Sequence, residues 1–194
     1  MWFGVFDEIV DGHRGSFQTV ASKDPQFRKD GFKLENVFAG PVSTALLLRG
    51  YGKDHQRVMK KYRHMSCIEV AVRDENAGEI SVSKSGRLVV KKPLTDQDKQ
   101  RRDKGLNAIE NILATSGAKE VIKAPMYFGL HLMGGSVMGV DPTKSVVGPD
   151  YKLHGSDHVY VCDSSLFPNA PGVNPSLTIC ALSQKLGEQL AGSN

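Results

Sequence analysis

Three observations predict that this 194-residue sequence adopts an α+β fold, an antiparallel sheet covered by helices. The run SCIEVAVRD at 66–74 sets Ile68, Val70 and Val72 two apart, the period of a strand. Two more short runs, EISVS at 79–83 and RLVVKK at 87–92, follow across ENAG and KSG, which are turn chemistry, so the three strands read as an antiparallel meander. Residues 93–117 then carry apolar side chains at helical spacing behind a capping sequence.

The elements follow in chain order. Residues 1–50 read as irregular, because Pro25 and Pro41 interrupt them and Val5, Phe6, Phe17, Phe27 and Phe32 are scattered among Gly, Asp and Lys. Such a segment is expected to lie against a larger body. DHQRVMKKYRHM at 54–65 predicts a helix with Asp54 as its N-cap and Val58 and Tyr62 on one face. In the 93–117 helix, Thr95 and Asp98 form a capping box, Leu106, Ile109, Ile112 and Leu113 form the apolar stripe, and Gly117 is the terminator. Its alternating Asp96, Asp98, Lys99, Arg101, Arg102, Asp103 and Lys104 read as a solvated face. GAKEVIKAP at 117–125 predicts another short strand.

The tail has a different texture. MYFGLHLMGGSVMGVDP at 126–142 is dense in glycine. HVYVCD at 158–163 predicts a buried strand, SLFPNAPGVNP at 165–175 a loop, and 176–190 a helix with Leu177, Ala181, Leu182 and Leu186 on one side. The order is strand, loop, helix.

Composition sets limits on function. Hydrophobic residues make up 40% of the chain and charged residues 24%, which is ordinary for a globular protein. A net charge of +4 with dispersed basic residues gives no case for a nucleic-acid partner. Cys67, Cys162 and Cys180 form no CxxC or CxxH pair, so no metal site is expected; Cys162 and Cys180 read as buried small hydrophobes, in a reducing compartment. No apolar run approaches the roughly 20 residues that span a bilayer, and no basic-then-apolar leader opens the chain, so a cytoplasmic protein is expected.

Three positions in the tail could carry chemistry. His131 lies among Gly129, Gly134, Gly135 and Gly139, where backbone can approach a ligand; it is either a base near neutral pH or a packed loop histidine. Asn174-Pro175-Ser176 opens the last helix, either as ordinary capping or as a helix N-terminus facing an anion. Asp163, followed by Ser164, closes the 158–163 run, where nucleotide cofactors are held in α/β folds and where turn residues also sit.

Together HLMGGSVMG (131–139), LHGSDHVYVCDSSLFP (153–168) and NPSLTICAL (174–182) resemble the C-terminal domain of the glucose–methanol–choline (GMC) oxidoreductase family, in order and in spacing. The resemblance implies a substrate-domain-like region over 1–125, and over 126–194 a segment that would complete a flavin-binding domain. It implies that His131 is the base that takes the proton of a small-molecule alcohol, with Asn174 as its partner, while hydride passes to FAD. It implies that Asp163, Ser164, Asn174, Pro175 and Ser176 contact that cofactor. Gly135 stands where the family usually has Thr, Gly148 interrupts a common SVVD, and Leu153 and His158 replace a common Val and Asn. The family's G-x-G-x-x-G fingerprint is missing from this chain, so the flavin-binding half is expected from an N-terminal segment or a subunit, with low activity and possible self-association of this chain alone. A non-catalytic binding or structural module on the same fold is the alternative. Neither the alcohol nor the electron acceptor is legible.

Overall fold

The computed structural model describes residues 1–124 and 127–192. The chain divides into two compact units, Met1–Tyr127 and Phe128–Asn194. The sequence boundary expected at 125/126 falls on residues outside the described set.

Unit one opens with strand β1 (Trp2–Val5), followed by the short helix α1 (Pro25–Lys29), strand β2 (Phe32–Asn36) and helices α2 (Pro41–Leu47) and α3 (Gly52–Met59). Strands β3 (Met65–Val72), β4 (Glu79–Val82) and β5 (Leu88–Lys91), helix α4 (Asp96–Thr115) and strand β6 (Glu120–Lys123) complete it. The sheet has the order β2-β3-β1-β6, with every neighbouring pair antiparallel. The α+β class is as expected, but the first fifty residues supply two of its four strands. All four residues of β1 are buried, so its sequence shows no alternation. β2 does alternate, with Phe32 and Leu34 on one face, but Lys33 and Glu35 on the other are drawn inward as an ion pair at 2.8 Å.

The expected meander is only half formed. β4 and β5 pair with each other as a separate two-stranded sheet, while β3 pairs with β1 along Met65–Ile68 on one edge and with β2 along Ile68–Val72 on the other.

Helix α4 lies across the face that carries Trp2, Phe32, Leu34, Ile68 and Val70, and it contributes Ile109 and Leu113 to that core. Its capping box forms as read, with the Thr95 hydroxyl accepting from the Asp98 amide and the Asp98 carboxylate accepting from the Thr95 amide, both at 3.0 Å. Two details differ. Ile112 is exposed, because the stripe turns through Gly105, Ile109 and Leu113 instead. Asp98 is fully buried rather than solvated, since it also accepts from the Glu75 amide and faces Arg101. Burial alone would raise its carboxyl, but the bonds from Thr95 and Glu75, with Arg101, hold it below the ordinary carboxylate range. At Gly105 a Cβ would come within 2.3 Å of a Val70 methyl, so the helix backbone rests directly on the Val70 side chain there.

The opposite face buries Phe3, Val5, Met65 and Cys67 under Val37, Phe38, Leu48 and Tyr62, with Val58 and Met59 of α3 packed on. Burial pushes the Cys67 thiol up to about 12, which leaves it inert as a nucleophile. The predicted 54–65 helix begins earlier, at Gly52 with Tyr51 as N-cap, so Asp54 lies in the first turn, and a 3-10 turn at Tyr62–His64 ends the segment.

Unit two has one long element, helix α5 (Ser176–Ala191), and a 3-10 turn at Ser164–Leu166. Its core is Val147, Tyr151, Leu166, Phe167 and Leu186, with Ile179 and Leu182 packed against it. The buried stripe of α5 is therefore Ile179, Leu182 and Leu186. Leu177, Ala181 and Cys180 are exposed, against expectation, because they point away from that stripe. Residues 158–163 make one isolated bridge, Lys152 to Tyr160, rather than a strand. Their apolar side chains met the compositional test for a strand, but no partner run long enough to ladder with them lies alongside.

Candidate functional site

The candidate site is built in unit two on irregular backbone. The glycine-rich loop that carries His131 is fastened to the Ser164–Leu166 turn by a run of bonds. The Ser164 hydroxyl donates to the Leu132 carbonyl at 2.7 Å. The amides of Gly134, Ser136 and Met138 donate in turn to the carbonyls of Ser164, Ser165 and Leu166 at 3.1–3.2 Å. Stepping by two residues on one side and by one on the other, this ladder needs unusual backbone, and Gly134 and Gly135 supply it with φ of 82° and 95°. The departure at Gly135 has its reason here. A threonine would meet nothing within 4 Å, yet a β-branched residue is strongly disfavoured at positive φ.

Asp163 sits one residue before the turn as its N-cap. Its carboxylate accepts from the Ser165 amide at 2.7 Å, and the Ser165 hydroxyl and amide together hold its carboxyl below the ordinary carboxylate range. It is therefore an anion at neutral pH, directed by its own turn. His131, half-buried, is one residue from the carbonyl that Ser164 grips. The structure thus brings together the His131 loop, Asp163 and Ser164. Asn174, Pro175 and Ser176 are not part of this ladder.

Those three residues form the entry to α5. Pro175 is buried and serves as N-cap, and its carbonyl accepts the Ile179 amide at 2.9 Å; Asn174 and Ser176 flank it, both exposed. Pro175 itself offers no side-chain hydrogen bond to the helix. The N-terminus of this 16-residue helix carries the positive end of its dipole, which favours a nearby anion. Leu130, Leu132, Val173 and Leu177, the neighbours of these residues in sequence, are exposed as well.

A second polar cluster had escaped the sequence reading. His154 Nε2 lies 3.0 Å from the Ser145 hydroxyl and 3.2 Å from the Gly139 carbonyl, and that hydroxyl also reaches the Asp141 carbonyl at 2.7 Å. A carbonyl only accepts, so Nε2 carries the proton and His154 works as a clamp on the far end of the His131–Gly139 loop. The signal was the LHG tripeptide at 153–155, inside the span already quoted. An open polar cleft along Asp150, Lys152, His154 and Asp157 contains neither His131 nor Asn174.

Comparison with known proteins decides the family. A sequence profile described as GMC oxidoreductase, built on the C-terminal region of that family, matches residues 53–183. The chain belongs to the GMC oxidoreductase family. An uncharacterized GMC-type oxidoreductase of Mycobacterium tuberculosis is 26% identical over 97% of this chain and 34% of its own length. A long-chain-alcohol oxidase of Arabidopsis thaliana is 26% identical over 81% of this chain and 25% of its own. Among solved structures, a formate oxidase of Aspergillus oryzae studied for its FAD modification superposes with a TM-score of 0.60 at 16% identity, over 89% of this chain and 36% of its own; at that identity the likeness is one of fold. The chain spans about a third or less of the length of these relatives. Among the described residues no helix is long and apolar enough to cross a membrane.

Proposed function

We propose that this chain supplies the catalytic wall of a flavin-dependent oxidoreductase acting on an alcohol, with His131 as the base. The observation that carries the reading is the ladder tying the His131 loop to the Asp163–Leu166 turn, because it fastens the backbone segment that bears His131 to the turn that bears a directed carboxylate. His131 takes the hydroxyl proton at an imidazole nitrogen, since hydride leaves an alkoxide far more readily than an alcohol. Asn174 hydrogen-bonds the same oxygen and holds it in line. Bound FAD supplies the hydride acceptor. The N-terminus of α5 would favour negative charge on such a group, and Asp163 and Ser164 would hold a polar edge of it. The donor set fits such a group in part, through one helix end and one carboxylate. The dinucleotide cradle comes from a flavin-binding half, and the exposed Leu130, Leu132, Val173 and Leu177 support a covering of this wall by that half. The relatives named for long-chain-alcohol and formate oxidation leave the size of the substrate open.

The test is reconstitution with the flavin-binding half of a relative, followed by an alcohol-oxidation assay. His131→Ala is expected to lower turnover by about 10²–10⁴-fold while bound flavin is retained. Unchanged turnover in the flavin-loaded assembly would remove His131 from its role.

A further inference from the structure

Helix α3 has no part in the site above, and its inference does not rest on the proposed function. Residues 49–64 hold Arg49, Lys53, Arg57, Lys60, Lys61 and Arg63 against the single acid Asp54. The chain's net charge is +4, so all of it lies in this stretch and the remainder is slightly acidic. Lys61 and Arg63 are taken by Glu120 and Asp11. Arg49, Lys53, Arg57 and Lys60 are exposed and form no ion pair among the described residues.

The helix gathers three of these cations on one face. At 3.6 residues per turn, Lys53, Arg57 and Lys60 fall within an arc of about 60°, with Gln56 beside them. Val58 and Met59 point to the other side, where they pack on the core. Successive cations are therefore i, i+4 and i, i+3 neighbours, a spacing at which like charges destabilise a helix. Helix α4 is built the other way: Lys99, Arg101, Arg102 and Lys104 each have an acidic partner. The dipole of α3 suits cations at its C-terminal end, but not Lys53 in its first turn. Self-repulsion held on an exposed face, at a cost to the helix, calls for an anionic partner.

We propose that this face of α3 docks a carboxylate-rich surface of a partner protein, with Lys53, Arg57 and Lys60 meeting acids spaced as on one side of a helix. Tyr51, 92% exposed between Arg49 and Lys53, adds an aromatic of the kind that anchors protein interfaces beside arginine. Asp54 on the flank gives the face a mixed sign, which sets register against a protein and would repel phosphates. The three cations span only about 10 Å, too short a track for a nucleic-acid strand. The outward face of α3 has no aliphatic side chain to enter a bilayer.

The experiment measures binding of the whole chain to a labelled alanine-based peptide with Glu along one helical face. An oligothymidylate of equal charge and vesicles containing phosphatidylglycerol serve as competing probes. The peptide is expected to bind, more weakly as salt is added. Replacing Lys53, Arg57 and Lys60 by Gln is expected to lower its affinity about tenfold or more. Replacing Lys84, Arg87 and Lys91 by Gln removes the same charge elsewhere and should leave it within about twofold. The α3 variant should melt no lower than the parent, since it relieves like-charge pairs. Four results overturn the proposal. Equal losses in the two variants would make net charge the cause. Tighter α3-dependent binding of the oligothymidylate or the vesicles would give the face to another class of partner. A lowered melting temperature would give its cations a structural role. Protection of α3 from hydrogen exchange by a relative's flavin-binding half would assign the face to that half.

Discussion

The two units solve the same problem of satisfying a buried backbone by opposite means. In unit one four strands pair in regular antiparallel ladders, and α4 presses a continuous apolar core onto the sheet. Unit two has isolated bridges and a loop-to-turn ladder that runs two residues against one, and one of its five core residues, Tyr151, takes the left-handed region at φ 68°. Regular ladders give stability without placing any particular side chain in a special position. Irregular backbone costs stability and places His131, Asp163 and the α5 entry on short loops around a small core. Candidate chemistry lies on the less regular unit, as expected when strained geometry is retained for function.

If this contrast is correct, deleting a large buried side chain should be felt within its own unit. Tyr151→Ala is expected to cost about 3–5 kcal/mol and to strip amide protection from α5 while β1 and β3 keep theirs. Ile109→Ala, at about 2–5 kcal/mol, should expose the strands first. Hydrogen exchange read by mass spectrometry checks both; equal loss in the two units for either variant would mean that they unfold as one.

A smaller effect should come from the one buried charge that unit one holds at a helix end. Asp98→Ala removes the reciprocal cap and leaves the Thr95 and Glu75 amides without their acceptor, for a loss of about 1–3 kcal/mol in chemical unfolding. Its carboxyl is depressed in the fold, so its contribution is present above the ordinary value of 3.8 and fades as pH falls through the lower folded value. Stability of the parent and of the variant should therefore converge in acid.

The smallest effect has the opposite sign. Glu69 faces Glu35 across β2 and β3, and Gln18 donates one amide nitrogen to both carboxylates at 3.0 and 3.1 Å. Burial, then the charge of Glu35, raises the Glu69 carboxyl, against the pull of the Met1 ammonium and Lys33. The folded state thus holds this proton more tightly than the unfolded chain. Stability is greatest below the ordinary value of 4.5 and declines as pH rises through the raised one. Glu69→Gln should flatten that decline, and thermal melts between about pH 4 and pH 8 would show the variant gaining on the parent toward the upper end. A parallel pair of curves would show that the Glu69 carboxyl is not raised in the fold.

Legibility followed the same division. α4 was readable to its capping residues, because cap chemistry and an apolar stripe are local properties of sequence. The strand at β3 was readable because its two faces differ. β1 was not, since a strand buried on both sides has no alternation to see, and β2 was obscured by an ion pair that sits inside. The error in the meander was one of partnership: β4 and β5 were recognised as strands, but β3 takes β1 and β2 as its neighbours, and partners that distant in sequence leave no local mark. In the candidate site, the resemblance of three motif spans to the family pointed to His131, Asp163, Ser164 and Asn174, whereas the ladder joining 132–138 to 164–166 is a long-range property that no local pattern encodes. The same holds for the clamp of His154 on Ser145 and Gly139.

The missing side chain at Gly105 has a mechanical meaning. Because Val70 fills the space where a Cβ would stand, helix and strand mesh like a key in its slot. Rolling α4 by a single residue would bring a bulkier neighbour, Lys104 or Leu106, over Val70 and pry the layers apart. One absent methyl thus indexes the whole 20-residue rod, so that the capped end and the faces of Ile109 and Leu113 arrive in a single rotational setting.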